Sequence, residues 1–217
     1  MRRLGLVIAA GLFAAAAGLA AWSYWPEPVQ RESIELTAQD LSPDYPAGGA
    51  APTATTPTAA TLTLEWPGWM RAGESRAITL RLAPGTPAGG YRLPVGVDHL
   101  VVETRLDIAS LAAQPAGTAQ QAWLAARPLQ FTWTIRPLTP GTYEGSVWFT
   151  LVFIQRDGGV LARKDISAQS VMVKAVDLAG LPVGQVRWAA VAFGAAGFLA
   201  GWWGLQAKGK SPGSPVG

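Results

Sequence analysis

Leu129-Gln130-Phe131-Thr132-Trp133-Thr134-Ile135-Arg136 decides the fold. Every odd position is apolar and every even one polar. In an extended chain successive side chains leave on opposite faces, so this stretch has one face for a core and one for water. The same period of two runs through Leu62, Leu64 and Trp66, and through Ile78, Leu80 and Leu82. It returns in Leu100, Val102, Leu106 and Ile108, opposite His99, Glu103, Arg105 and Asp107. Turn signals separate the runs: Pro67-Gly68, Pro84-Gly85, Pro140-Gly141 and Asp157-Gly158-Gly159. Further strands are expected over 143–155 and around 160–176. Six or seven strands without a long helix predict an antiparallel immunoglobulin-like sandwich over residues 61–180.

Outward from that domain the period disappears. Residues 26–60 carry Pro26, Pro28, Pro43, Pro46, Pro52 and Pro57 among Ala, Thr and Gly, which reads as an extended linker. Beyond it on either side lie uncharged apolar runs, 4–25 and 187–206 apart from Arg187, each long enough to cross a bilayer as a helix. Aromatic residues stand at their ends: Trp22, Tyr24 and Trp25 on the first, Trp188, Trp202 and Trp203 on the second. Such rings favour the headgroup level. Arg2 and Arg3 precede the first run, and Lys208 and Lys210 follow the second in the tail 207–217. The positive-inside rule then puts both termini in the cytoplasm and the central domain outside a bacterial cytoplasmic membrane. Arg187 is a lone cation at the outer boundary. The first run also fits a cleaved signal peptide, with Gly18-Leu19-Ala20 as small residues at the cleavage position. Both readings leave the middle of the chain outside.

Of 217 residues, 49% are hydrophobic and 14% charged, too apolar for a disordered chain. There is no Cys and one His, which excludes disulfide scaffolds, thiol nucleophiles, thiolate zinc sites and clustered imidazole ligands. The formal charge is +3, but the four terminal cations account for it and the central region is nearly balanced. No clustered positive face is available for nucleic acid. The absence of Asn and the excess of Arg over Lys suit a GC-rich bacterial genome.

Three groups of residues are candidates for function. Ala190, Gly194, Gly197 and Gly201, and likewise Ala10, Ala14 and Gly18, form small-residue stripes that let helices approach closely, within the chain or with another subunit. The strand at 147–154 breaks the alternation: Val147, Phe149, Leu151 and Phe153 face the core, yet Trp148, Val152 and Ile154 are apolar on the other side. Either a loop such as 109–128 covers them, or they form a partner patch. Trp69 and Trp123 are the aromatic residues expected in loops, where they would cap the core or form a ligand platform. His99 lies beside Asp98 with no G-x-S-x-G elbow in the chain, and reads as a surface residue. No P-loop, dinucleotide fingerprint or EF-hand loop occurs, so no cofactor, metal or catalytic residue is expected.

Met70-Arg71-Ala72-Gly73-Glu74, Thr104-Arg105-Leu106 with Gln120, and Trp133-Thr134-Ile135-Arg136-Pro137 followed by Gly141 occur in that order. The pattern resembles a bacterial extracytoplasmic immunoglobulin-like β-sandwich module of membrane-anchored proteins. The resemblance covers residues 61–176 and implies a fold and a location, with no catalytic residue to carry over. The expectation is a non-enzymatic accessory or scaffolding subunit. It would sit in the bilayer and present its sandwich to a partner membrane protein or a second copy. The alternative is a binding module for a cell-wall glycan or small ligand through Trp69 and Trp123.

Overall fold

The alternation at 129–135 becomes strand β8 (Leu129–Ile135), with its odd side chains buried and its even ones exposed. The computed structural model describes residues 2–37, 40, 41, 43, 60–85, 96–123 and 127–206. They fall into two units: Glu27–Met70 with Glu74–Val176, and Met1–Pro26 with Arg71–Gly73 and Asp177–Gly217.

The first unit is a two-sheet sandwich. Its strands in chain order are β1 (Val29–Leu36), β2 (Ala60–Pro67), β3 (Trp69–Arg71), β4 (Arg76–Pro84), β5 (Val97–Ile108), β6 (Ala113–Gln114), β7 (Thr118–Trp123), β8, β9 (Gly141–Gln155) and β10 (Val160–Val176). One sheet has the order β1-β2-β4-β8-β6 and the other β3-β10-β9-β5-β7. Apolar positions line up across each ladder, as in Leu64 with Leu80 and Leu80 with Phe131, or Val102 with Leu151 and Leu106 with Val147. The inner faces of both sheets merge in one hydrophobic core, with Trp133, Phe149 and Phe153 among its largest fully buried side chains. Phe131 stacks on Trp133 at 6.5 Å between centroids.

The spatial order follows an immunoglobulin-type sandwich in part, with β2, β4 and β8 in the places of A, B and E, and β10, β9, β5 and β7 in those of G, F, C and C′. β6 lies beside β8 where D would, but it precedes β7 in the chain, whereas D follows C′. The corner between β8 and β9 has the tyrosine that such folds place there. The Tyr143 hydroxyl donates to the Thr139 carbonyl at 2.9 Å. Two residues on, where antibody domains carry an inter-sheet cysteine, this chain has Gly145. A β-carbon at Gly145 would lie 2.3 Å from the Asp107 carbonyl oxygen and 2.5 Å from Ile108 Cγ1.

Ten strands stand among the described residues where six or seven are expected, and the additional ones are short or polar. β1 arises inside the expected linker 26–60, which is thereby corrected. It pairs with β2 along its length, places Arg31 opposite Glu65 and Ser33 opposite Thr63, and turns only Ile34 and Leu36 toward the core. Arg31 Nε donates to Glu65 Oε1 at 2.7 Å. Residues 44–59 of the linker lie outside the described residues. The stretch 109–128 is not a covering loop. Its β6 extends one sheet and its β7 the other.

In the second unit, α1 (Arg2–Tyr24) and α2 (Val183–Gln206) pack antiparallel. Gly194 approaches Ala16 and Gly201 approaches Ala9. At Gly197 an added β-carbon would meet Ala9 O, Leu12 Cβ and Phe13 Cδ2 at 3.3 Å each. Gly194, Gly197 and Gly201 therefore serve a contact within the chain, and Ala190 beside them is half-buried. Ala10, Ala14 and Gly18 do not join it. They are exposed, because α1 turns the neighbouring face, Ala9, Leu12 and Ala16, to its partner. Arg71 closes the end of α1: Nε donates to Trp22 O at 2.9 Å and Nη2 to Trp25 O, with the guanidinium 5.4 Å from the Trp22 ring centroid. Its side chain is buried, at 1% exposure. Arg187 donates to Ser23 O at 3.3 Å and lies 5.0 Å from the Tyr24 ring centroid. Two cations thus meet the carbonyl end of one helix dipole.

Replacing Gly145 by Ala should destabilise the sandwich by about 1–3 kcal/mol, since the atoms it meets include backbone. Thermal unfolding of the variant beside the parent measures this. For the helices, the cysteine-free chain allows a clean test. Ala9→Cys with Gly201→Cys should cross-link spontaneously on oxidation, because the β-carbons stand 3.9 Å apart, close to the disulfide mean of about 3.8 Å. Adding Gly197→Ile should abolish that cross-link, read by gel mobility with and without reductant.

Candidate functional site

The outer face of the β10-β9-β5-β7 sheet carries the side chains of interest. Antiparallel register sets Trp148 beside Arg105 and Ala168, and Thr150 beside Glu103 and Asp165. Across the next ladder Glu103 meets Gln120 and Arg105 meets Thr118. Alternation sends all of these side chains away from the core.

Trp148 is 43% exposed. It borders a hollow of about 280 Å³ lined by Glu103, Thr104, Arg105, Thr118, Trp148 and Thr150. Hydrogen bonds fix the surrounding polar groups. Glu103 Oε1 accepts from Gln120 Nε2 at 2.7 Å and from Arg163 Nη2 at 3.0 Å, and the Glu103 side chain is only 11% exposed. Arg105 Nη2 donates to Asp107 at 2.9 Å, and the Thr150 hydroxyl donates to Asp165 at 2.7 Å. Arg163 starts on β10 and Glu103 sits on β5, two strands away. Two strand spacings are about 9.6 Å, so the arginine stem must cross β9 to make its bond.

That crossing changes the reading of the apolar patch. Val152, the cross-strand neighbour of Arg163, is 2% exposed, and Ile154 is half-buried. Trp148, Val152 and Ile154 therefore form no continuous apolar surface, and the residues that line the hollow beside Trp148 are polar. The expected ligand platform is also corrected. Trp123 is a strand residue opposite Leu100, 4% exposed and part of the core, while Trp69 is half-buried. The two do not present rings to a common ligand. Trp123 reads as a loop residue from sequence because β7 is too short a strand to show a period.

A second hollow of about 340 Å³ lies between Glu27, Glu65, Trp66, Arg76 and Thr79. It is occupied by its own ion pairs, Arg76 with Glu27 at 2.5 Å and with Glu74 at 3.1 Å. The hydrogen bond to Glu27 moves the Arg76 pKa upward, outweighing the opposite pull of partial burial. His99 Nδ1 lies 3.1 Å from Asp98 Oδ2, with both side chains exposed. Among the described residues no group of three or more His, Asp or Glu side chains is placed to hold a metal.

Sequence alone shows that Glu103, Arg105 and Asp107 share a face, and their spacing predicts a ladder paired among themselves. The structure keeps the Arg105–Asp107 pair and sends Glu103 to Gln120 and Arg163 instead. Those partners depend on the register of β7 and β10, which no local pattern reveals.

No protein-family model matches the chain, and no curated sequence matches it. The pattern shared with extracytoplasmic sandwich modules thus has no sequence-level counterpart. Solved structures resemble it by strand arrangement. The complex of zinc 2-glycoprotein and prolactin-inducible protein from human seminal plasma matches at TM-score 0.38 and 13% identity, covering 57% of this chain and 99% of that one. The PapD-like domain 7 of human CEP192 matches at TM-score 0.33 and 8% identity, covering 63% and 99%. AggA, the major subunit of aggregative adherence fimbriae type I from Escherichia coli, matches at TM-score 0.33 and 9% identity, covering 69% and 96%. The likeness is one of β-sandwich architecture and carries no statement about function.

Proposed function

We propose that the chain is a two-pass protein of a bacterial cytoplasmic membrane whose sandwich is held outside as a non-catalytic binding module. The observation that carries the reading is the hollow beside Trp148, an exposed ring set among polar groups fixed by hydrogen bonds. The anchor reading rests on the helices. Leu4–Tyr24 and Val183–Trp203 have mean hydropathies of 2.2 and 1.3, and their outer surfaces are uncovered, with Leu4, Val7, Val191, Phe198 and Trp203 all exposed. Such surfaces in water would be costly, and hydrocarbon removes that cost. Arg2, Arg3, Lys208 and Lys210 support an inward placement of both termini. The fit of α1 against Gly197, and of Arg71 on its carbonyl end, supports retention of the first helix over its removal as a leader.

A second reading, an accessory subunit that presents the sandwich to a partner protein, is favoured by one observation. Once α2 has docked, the stripe of Ala10, Ala14 and Gly18 is still exposed on α1. A helix of another subunit would find a close-packing face there. The two readings differ in their sensitive residues: Trp148 for the first, Gly18 for the second.

Topology is tested with single cysteines. Ser146→Cys should react with a membrane-impermeant maleimide in intact spheroplasts, and Ser214→Cys only after lysis. The reverse pattern would overturn the orientation. Function is tested by a photo-crosslinking amino acid at Trp148 or Thr118 in native cells, with Gln130 on the opposite sheet as control. Adducts at 148 and 118 but not at 130 are expected. With the photo-crosslinking residue at Ala14 instead, adducts that are lost on Gly18→Ile, together with none at 148 or 118, would move the assignment to the accessory reading.

A further inference from the structure

We propose that the hollow beside Trp148 binds a neutral saccharide, through one pyranose unit stacked on the indole. The inference rests on the binding-module reading and names the ligand class of the same site. Its first support is the isolation of the ring. A protein partner needs an apolar centre of several contiguous side chains with a polar rim. Here Val152 is 2% exposed, and Trp148 is the one apolar side chain among the residues that line the hollow. A pyranose matches that arrangement. The face bearing its axial C–H bonds is apolar and slightly positive, and lies on the negative face of an indole. Its ring hydroxyls point sideways, toward whatever polar groups surround the aromatic.

The second support is the kind of polar group found there. Glu103, Thr150 and Thr118 bring a carboxylate and two hydroxyls to the rim, acceptors and donors for sugar hydroxyls. They are held in advance: Glu103 by Gln120 and Arg163, Thr150 by Asp165. Groups already fixed lose little freedom when a ligand arrives. The third support is charge. Arg105 is paired with Asp107 and Arg163 with Glu103, and the Asp165 carboxylate stands close by. Among the described residues around the hollow these cations are matched by carboxylates, which points to a neutral sugar over a phosphate or a uronic acid. The volume, about 280 Å³, is at the small end of ligand sites, enough for one ring with its neighbours lying along the surface.

The test uses the full chain in lipid nanodiscs, titrated by calorimetry with hexamers of glucose, mannose and N-acetylglucosamine, and with an anionic uronate hexamer. Co-sedimentation with insoluble chitin and cellulose separates recognition of a polymer from recognition of a free oligosaccharide. Saturable binding of at least one neutral hexamer is expected. Trp148→Phe should retain it and Trp148→Ala should weaken it about tenfold or more. Thr150→Val should weaken it less. Because Trp148 is largely outside the core, unchanged thermal unfolding of Trp148→Ala confirms that the loss is local. Neutral binding that survives Trp148→Ala, or preference for the uronate, overturns the proposal. If sugars fail and position 148 still cross-links a protein in cells, the saccharide assignment falls while the binding-module reading stands. If neither occurs, both fall.

Discussion

Two sheets with no disulfide between them must be held chiefly by side-chain burial, and the rest of the sandwich follows from that constraint. Antibody-type domains bolt the B and F strands together with a disulfide. Here β4 and β9 have no cysteine to offer, and the space is filled by aromatic rings and aliphatic side chains from both inner faces. Fully burying each large apolar side chain contributes roughly 1.5–3 kcal/mol, so the alternation has to be kept on every central strand. That requirement explains why β8 is so regular. Gly145 has a separate cause within one sheet, where β5 at Asp107 and Ile108 comes too close for a side chain on β9.

The helical pair answers a different constraint. An arginine buried as deeply as Arg71 needs acceptors on the spot, because an unpaired buried cation costs several kcal/mol. The last carbonyls of α1 supply them, since they have no partner within their own helix. The aromatic belt adds ring faces for both cations at the same level, Trp22 under Arg71 and Tyr24 under Arg187. Arg187, an exception to the charge rule when read from sequence, is therefore a capping group. Its guanidinium meets the Ser23 carbonyl and the Tyr24 ring.

What could be read in advance was what repeats locally. β8, β4 and β5 announce themselves by period, and the two apolar helices by length. β1 was hidden because only Ile34 and Leu36 face inward, so its run is charged and looks like linker. β7 was hidden because six residues with a single buried member do not make a pattern. The hollow was half legible. Trp148 was marked as an outward aromatic, but its isolation depends on Arg163 crossing β9, a contact between residues sixty positions apart. Small-residue stripes showed that α1 and α2 have close-packing faces. They did not show which face of α1 is used, because Ala9 and Ala10 are equally small and differ only by a turn of about 100°.

The helical unit takes residues from three places in the chain: its start, its end and Arg71–Gly73 in between. Synthesis is vectorial, so α1 and Arg71 both emerge before any residue of α2 exists. The guanidinium and its carbonyl acceptors can meet while the ribosome is still making the sandwich, and α2 docks last against a helix whose end is already occupied. The same threading limits how the protein can be divided. A fragment excised as 61–180 keeps Arg71 but discards the Trp22 and Trp25 carbonyls that it bonds, and it lacks β1. A portion that keeps both the Arg71 contacts and the packing of α1 on α2 must therefore run from α1 through α2.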